Sequence, residues 1–303
     1  MTTAAESERL RQRIAACAPS LDLRSLHIVE EGWDSRVAVV DDTWIFRFPR
    51  NAEAAAQLAI ERALLPALAA RLPLPIPDFS YACASSTPPE LPFVGYRMIA
   101  GAPLSRSVLD ATESTIRSAV ARQLAEFLQV LHSFPTGEAQ RLAPTLRGLD
   151  RTIFAAEYAQ IQQQIFPLLS AQERTWIAGV YAIADDDAVW HFQPVLVHND
   201  LTVPHILFDS ATQQLAGVID FGDVALGDPA IDLTGLLEYG PVFVDDVIRR
   251  YGRSLDAGFR RRLRFYRPRM WLTDLRYQLD HGNTTRVSTL LATLREYMTT
   301  HTM

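Results

Sequence analysis

The sequence predicts an α+β fold of two unequal lobes, on three observations. Runs with strand-like alternation crowd the first hundred residues, whereas after Gly101-Ala102-Pro103 apolar residues recur mostly at helical spacing. The length, 303 residues, is long for one core and comfortable for two. The expected division is a strand-rich lobe over 1–100 and a mainly helical lobe over 101–303.

Taken in order, Leu10, Ile14 and Cys17 at helical spacing predict a short helix over 5–17. Strands follow at 26–30, 36–40 and 43–48, the last as the alternating Trp44-Ile45-Phe46-Arg47-Phe48. Asp41-Asp42 between the second and third is a tight turn signal. Residues 53–71 have helical composition, with Pro66 expected to kink or break them. Leu72-Pro73-Leu74-Pro75-Ile76-Pro77 predicts an extended connector. Strands are expected again at 79–84 and 93–99, separated by a loop over 85–92.

In the second lobe, residues 111–133 carry Ile116, Val120, Leu124, Phe127, Leu128 and Leu131 on one helical face, with Asp110 as the expected cap. Helices over 150–168 and 171–184 follow, the second opened by the capping box Ser170-Ala171-Gln172-Glu173. Short strands are expected at 195–197, 206–208 and 215–219, and helices at 229–238, 241–251, 256–281 and 284–298.

The 29 basic residues are all arginine, so any role usually given to lysine falls to a rigid planar fork or to nothing. A net charge of −6 argues against nucleic acid as a partner and is compatible with a cationic ligand. Cys17 and Cys83 read as two small buried hydrophobes. No signal peptide is visible at the N-terminus and no uncharged apolar stretch approaches membrane-spanning length, which makes the cytoplasm the default expectation.

The segment 195–222 carries the chemistry. Phosphoryl transfer needs a carboxylate to orient the attacking hydroxyl, ligands for a metal on the phosphates, and donors that neutralise charge. Val195-Leu196-Val197 is an apolar strand that leads into His198-Asn199-Asp200. His205 stands five residues after Asp200, and Asp220-Phe221-Gly222 closes the later strand Gly217-Val218-Ile219. Either motif alone is common by chance; their order and flanking strands give them weight.

The run 198–232, with His198-Asn199-Asp200, His205-Ile206-Leu207-Phe208, Ile219-Asp220-Phe221-Gly222-Asp223 and Gly227-Asp228-Pro229-Ala230-Ile231-Asp232, resembles the aminoglycoside phosphotransferases. It is most similar to their 2″-phosphotransferase branch, where a His replaces the loop Asn. The likeness extends to Glu31-Gly32-Trp33-Asp34-Ser35, Ile45-Phe46-Arg47-Phe48-Pro49, Leu72 to Pro77, Phe93-Val94-Gly95-Tyr96 and Trp271. The resemblance implies a protein-kinase-like fold and a magnesium-dependent transfer from ATP or GTP to a hydroxyl of a small molecule, an aminoglycoside first among the acceptors. Other acceptors (a macrolide, homoserine, a choline-like metabolite) and a nucleotide-binding scaffold without turnover are the alternative readings.

Residue by residue, the resemblance implies Asp200 as the base and Asp220 as a ligand of Mg2+. His205 is either a second metal ligand or a hydrogen-bond donor to phosphate or loop backbone. His198 is expected to hold the loop through its backbone, and Asp228 and Asp232 to brace it. For the nucleotide the candidates are Gly32, Ser35, Arg47 in place of the usual strand lysine, its helix partner Glu61, and backbone groups at Arg97 and Ile99. For a cationic acceptor they are Glu238, Trp271 and Asp274, with Asp245, Asp246 and Asp280 further out; each acid could equally be a helix-surface residue, and Trp271 a core residue.

Overall fold

The structure is a computed structural model that describes residues 4–29, 34–84 and 90–301. Helix α1 (Ala4–Cys17) lies against an antiparallel sheet of β1 (Leu26–Val29), β2 (Ser35–Val40), β3 (Trp44–Pro49), β4 (Tyr81–Cys83) and β5 (Phe93–Arg97). Their order is β1-β2-β3-β5-β4. Asp41 and Asp42 turn β2 into β3 with φ of 51° and 49°, left-handed values that Asp tolerates better than most residues.

Alternation along β3 sets up the chemistry of this lobe. Phe46 and Phe48 pack with Leu10, Ile14 and Phe93 under α1, so Arg47 faces the other side of the sheet. There it meets α2 (Ala52–Ala69), whose buried stripe of Leu58, Glu61, Leu64, Leu65 and Leu68 includes a single acid. Pro66 does not break α2: it sits exposed in the last turn, where the carbonyl it leaves unbonded can reach water.

Cys17 and Cys83 are not separate hydrophobes. The sheet brings β4 beside the end of α1, and a disulfide joins the two residues across 66 positions, with Cα atoms 5.8 Å apart. Nothing in the sequence spacing announces that approach.

The larger lobe opens with β6 (Ala102–Pro103) and α3 (Arg106–Ala111), followed by its central helix α4 (Ser114–His132). Val120, Leu124, Phe127, Leu128 and Leu131 of α4 are completely buried, in a core that also takes Leu64, Leu65 and Leu68 of α2. Asp110 does not cap α4. It lies inside α3, against Arg106, and Ser105 caps α3 by accepting from the Val108 amide at 3.2 Å.

Next come α5 (Thr136–Leu142), α6 (Ile153–Gln164) and α7 (Ala171–Ala182), the last opened by the Ser170–Glu173 capping box. Strands β7 (Val195–Val197), β8 (Ile206–Asp209), β9 (Gln214–Val218) and β10 (Ala225–Gly227) precede α8 (Ala230–Gly235), α9 (Pro241–Arg250), α10 (Phe259–Asp280) and α11 (Thr284–Thr300). β7 pairs with β10, while β6, β8 and β9 form a second small sheet, so two short ribbons hold the loops after β7 and β9 side by side. The pieces absent from the sequence reading, β6, α3, α5 and β10, are two to seven residues long, too short to show a period. Among the described residues no helix is long and apolar enough to cross a membrane.

Candidate active site

The loop after β7 is held from beneath by one buried carboxylate. Asp232, in the first turn of α8, accepts from the His198 amide at 2.9 Å and the Asn199 amide at 2.7 Å. Its Oδ2 also meets His132 Nε2, at the end of α4, at 2.9 Å. Asn199 is thereby kept at φ 67°, a left-handed turn that lifts Asp200 to the surface of a cavity. His132 was not anticipated from the sequence, although a lone His ending an otherwise apolar stripe was a signal that it has a partner. Asp228 is consumed differently: it receives Nε of the fully buried Arg262 at 2.6 Å.

His198 joins the two ribbons. Its Nε2 donates to the Ile219 carbonyl at 3.1 Å, and its Nδ1 accepts from the Asp200 amide at 3.3 Å, a pairing that requires the neutral ring. Burial, only partly offset by Asp232, pushes its pKa down to about 4, in accord with that tautomer.

Above this brace, Asp200 and Asp220 face each other across His205. The ring Nδ1 donates to the Asp200 carbonyl at 2.8 Å and lies 3.3 Å from Asp200 Oδ2. That leaves Nε2 turned toward Asp220 Oδ2 at 3.5 Å. Burial raises the Asp200 carboxyl to about 7, with the nearby charges of Asp223 and Asp220 adding to it and His205 opposing. Asp220 goes the other way: burial would raise it, but the charge of Arg47 foremost holds it below the usual carboxylate range. One carboxyl is thus poised to take a proton near neutrality while its neighbour stays anionic.

The donor set fits a hard divalent cation. In the neutral ring with its proton on Nδ1, directed at the Asp200 carbonyl, the Nε2 lone pair faces Asp220 Oδ2, and the two would hold a metal ion between them. Among the described residues no three His, Cys, Asp or Glu side chains are grouped to hold an ion unaided.

Arg47 closes the end of the cavity formed by the small lobe. It donates to Glu61 Oε2 at 2.7 Å and approaches Asp220 Oδ1 at 3.4 Å, with Glu61 only 1% exposed. Burial works against its charge, and the two carboxylates more than restore it. Ser35 lines the same cavity, whereas Gly32 lies outside the described residues. Arg97 ends β5 beside Trp44 and Ile99 packs against Gly217, and neither lines the cavity.

The cavity, about 1880 Å3, runs from Ser35 and Arg47 past Asp200 and Asp220 to Glu238, Trp271 and Asp274. Trp271 serves it and the core together, with one edge on Tyr297 at 5.1 Å between ring centres. Asp274 is already engaged by Gln278 and Arg286. Asp245, Asp246 and Asp280 lie away from the cavity, bonded to Arg260, to Arg249 with Arg250, and to Gln164.

Residues 25–266 match the model of the phosphotransferase enzyme family. Viomycin phosphotransferase of Streptomyces vinaceus is 28% identical over 197 residues, 64% of this chain and 66% of that protein, so the match spans just under two thirds of this relative. The GDP and kanamycin complex of APH(2″)-IIIa superposes with a TM-score of 0.87 at 26% identity, over 95% of this chain and 97% of that one. Macrolide 2′-phosphotransferase type I gives 0.74 at 26% identity, over 97% and 98%. The kinase-like, two-lobed fold expected from the sequence is the fold of this chain.

Proposed function

This chain belongs to the phosphotransferase enzyme family, and from that premise we propose that it moves the γ-phosphoryl group of ATP or GTP to a hydroxyl of a small-molecule acceptor, with antibiotics of the aminoglycoside type the first class to test. The observation that carries this reading is the Asp200–His205–Asp220 arrangement at the middle of one cavity. The nucleotide and aminoglycoside named in the APH(2″)-IIIa complex support the choice of donor and acceptor.

Asp200 orients the acceptor hydroxyl and takes its proton as the new oxygen–phosphorus bond forms and the bond to the β-phosphate oxygen breaks. Asp220 and His205 Nε2 would hold Mg2+, which when bound neutralises charge on the phosphates. Arg47, locked by Glu61, directs its second nitrogen toward Asp220 and the phosphate end, doing with a planar fork what a lysine does as a point charge. Ser35, at the start of β2, is the candidate contact to the phosphates, and Arg97 and Ile99 remain the candidates for backbone contact with the base. At the far end Glu238, Trp271 and Asp274 would meet the acceptor.

A nucleotide-consumption screen of aminoglycosides, macrolides and amino alcohols, with ATP and GTP in parallel and Mg2+ present, tests the proposal. Acceptor-dependent consumption that Asp200→Asn abolishes is the expected result. Nucleotide binding with no transfer to any acceptor would instead favour a scaffold without turnover.

A further inference from the structure

Among the described residues, Arg267 at the acceptor end of the cavity has no hydrogen-bond acceptor for its Nη1. Arg267, Trp271 and Asp274 stand on one face of α10 at i, i+4 and i+7. Arg267 is 9% exposed, its guanidinium lies 4.5 Å from the Trp271 ring centre, and its Nη1 is buried without a hydrogen-bond partner. The nearest carboxylate oxygen, Glu238 Oε1, is 3.9 Å from Nη1, beyond hydrogen-bond range.

The neighbouring charges are differently placed. Arg269 donates to Glu157 at 3.0 and 2.8 Å. Arg286 donates to Asp274 Oδ2 at 3.1 Å, and Gln278 donates to Asp274 Oδ1 at 2.9 Å. Asp274 is thus largely spent, and Arg269 and Arg286 with it. Glu238 keeps a half-exposed carboxylate on the cavity wall. What this end still offers is a guanidinium, one carboxylate a few ångströms from it, and the surface of Trp271.

A buried guanidinium with unfilled donors is costly, and the cost is removed when an oxygen with in-plane lone pairs docks on its planar fork. Ammonium groups cannot do this, because they repel it. We infer that Arg267 is an acceptor-recognition residue and that, with Glu238, it selects an acceptor bearing a carbonyl-type oxygen (amide, lactone or carboxylate) close to a protonated amine. A polyamine whose polar groups are only ammonium and hydroxyl leaves Arg267 unfilled. This rests on the phosphotransferase reading for the site's identity as the acceptor pocket, and within that reading it places carbonyl-bearing acceptors ahead of aminoglycosides without carbonyls.

The test measures binding by calorimetry and transfer by nucleotide consumption, on the enzyme with bound nucleotide. The probes are viomycin (a cyclic peptide with amide carbonyls and amines), erythromycin (a lactone with one amine) and kanamycin (amines and hydroxyls, no carbonyl). The proteins are wild type, Arg267→Lys and Arg267→Met; the Lys variant keeps the charge over Trp271 and loses the fork, and melting curves check that each is folded. Removing a charge-assisted bond to the ligand is expected to weaken the carbonyl-bearing probe that binds by about 10- to 100-fold in both variants, while kanamycin changes less than about threefold. The amide and lactone arms show which kind of carbonyl is taken.

Equal losses for kanamycin, no loss for any probe, or no binding of either carbonyl-bearing probe to wild type overturns the inference. The two readings fail separately. A probe phosphorylated with a KM indifferent to Arg267 sinks this inference and leaves the enzyme reading intact. A probe bound through Arg267 but never phosphorylated does the reverse.

Discussion

Replacing Asp232 by Asn probes how the 198–205 loop is held, without changing shape or volume. The carboxylate accepts three hydrogen bonds: Oδ1 from the Asn199 amide at 2.7 Å, and Oδ2 from the His198 amide and from His132 Nε2, both at 2.9 Å. An amide offers one oxygen, so its better orientation keeps that oxygen at the Oδ2 position and turns an NH2 group onto the Asn199 N–H. One charge-assisted bond is lost, a buried donor is orphaned, and the remaining bonds lose their charge. At roughly 1.5–3 kcal/mol for the lost bond, with further weakening of the others, the expected destabilisation is about 2–4 kcal/mol. For a chain of this size that is a fall of roughly 3–6 °C in Tm.

The same substitution reaches the chemistry through Asn199. Its left-handed φ of 67° costs on the order of 1–2 kcal/mol for a residue with a side chain, and the bond to Asp232 offsets it. Released, the turn relaxes and carries Asp200 with it, so kcat is expected to fall about 10- to 100-fold. The KM for nucleotide, to which Arg47 and Ser35 of the other lobe would contribute, should move less than kcat. Calorimetric melting and steady-state kinetics with one good acceptor are the assays. A Tm within about 2 °C of wild type together with an unchanged kcat would refute the claim that this carboxylate holds the loop.

Three further predictions concern the same scaffold. Gly235→Ala places a methyl carbon 2.1 Å from the Leu201 carbonyl oxygen, and the displaced loop should lower kcat at least tenfold with a stability loss of about 1–3 kcal/mol; a normal kcat would show that the loop can yield harmlessly. Asp200→Asn should be inactive with Mg2+ present and, with stability measured in EDTA, more stable than wild type above pH 7. The carboxyl pKa is raised to about 7 in the fold, so wild type has its full stability below the unfolded value near 4 and loses part of it as pH rises through 7; Asn keeps it. After discounting for partial exposure the gain is about 1–2 kcal/mol at pH 8, vanishing near pH 4, and denaturant titrations at the two pH values check it. Opening the Cys17–Cys83 bond, by reduction or by Cys17→Ser, removes a closure over 66 residues and should cost about 2–4 kcal/mol in urea unfolding, whereas coincident curves with and without reductant would place the bond outside the cooperative unit.

Much of this molecule was legible before any coordinates. Local periodicity located α4 and the strands β2, β3, β7 and β9, because burying one face of a helix or strand leaves a 3.6- or 2-residue signature in the order of the side chains. The two Asp-bearing motifs were readable for a related reason: each follows a short apolar strand, and strand ends are where a fixed scaffold presents a loop. The Arg47–Glu61 pair was expected only through the family resemblance, and the structure accounts for it: β3 turns Arg47 toward α2, whose buried stripe holds a single acid.

What the sequence determined by itself was therefore the family and its kinase-like fold, with Asp200 and Asp220 at the ends of short strands as the candidates for the chemistry. Tertiary structure alone decided which polar groups still have bonds to make. It spent Asp228 on Arg262 and Asp274 on Arg286, recruited His132 to the loop from 100 residues away from Asp232, and joined Cys17 to Cys83. It also left Arg267 buried over Trp271 with a donor unfilled. The physical reason is that hydrogen-bond satisfaction belongs to pairs of atoms brought together by packing, and the partners here are distant in the chain. A sequence records the donors and acceptors, but only the fold determines which of them meet.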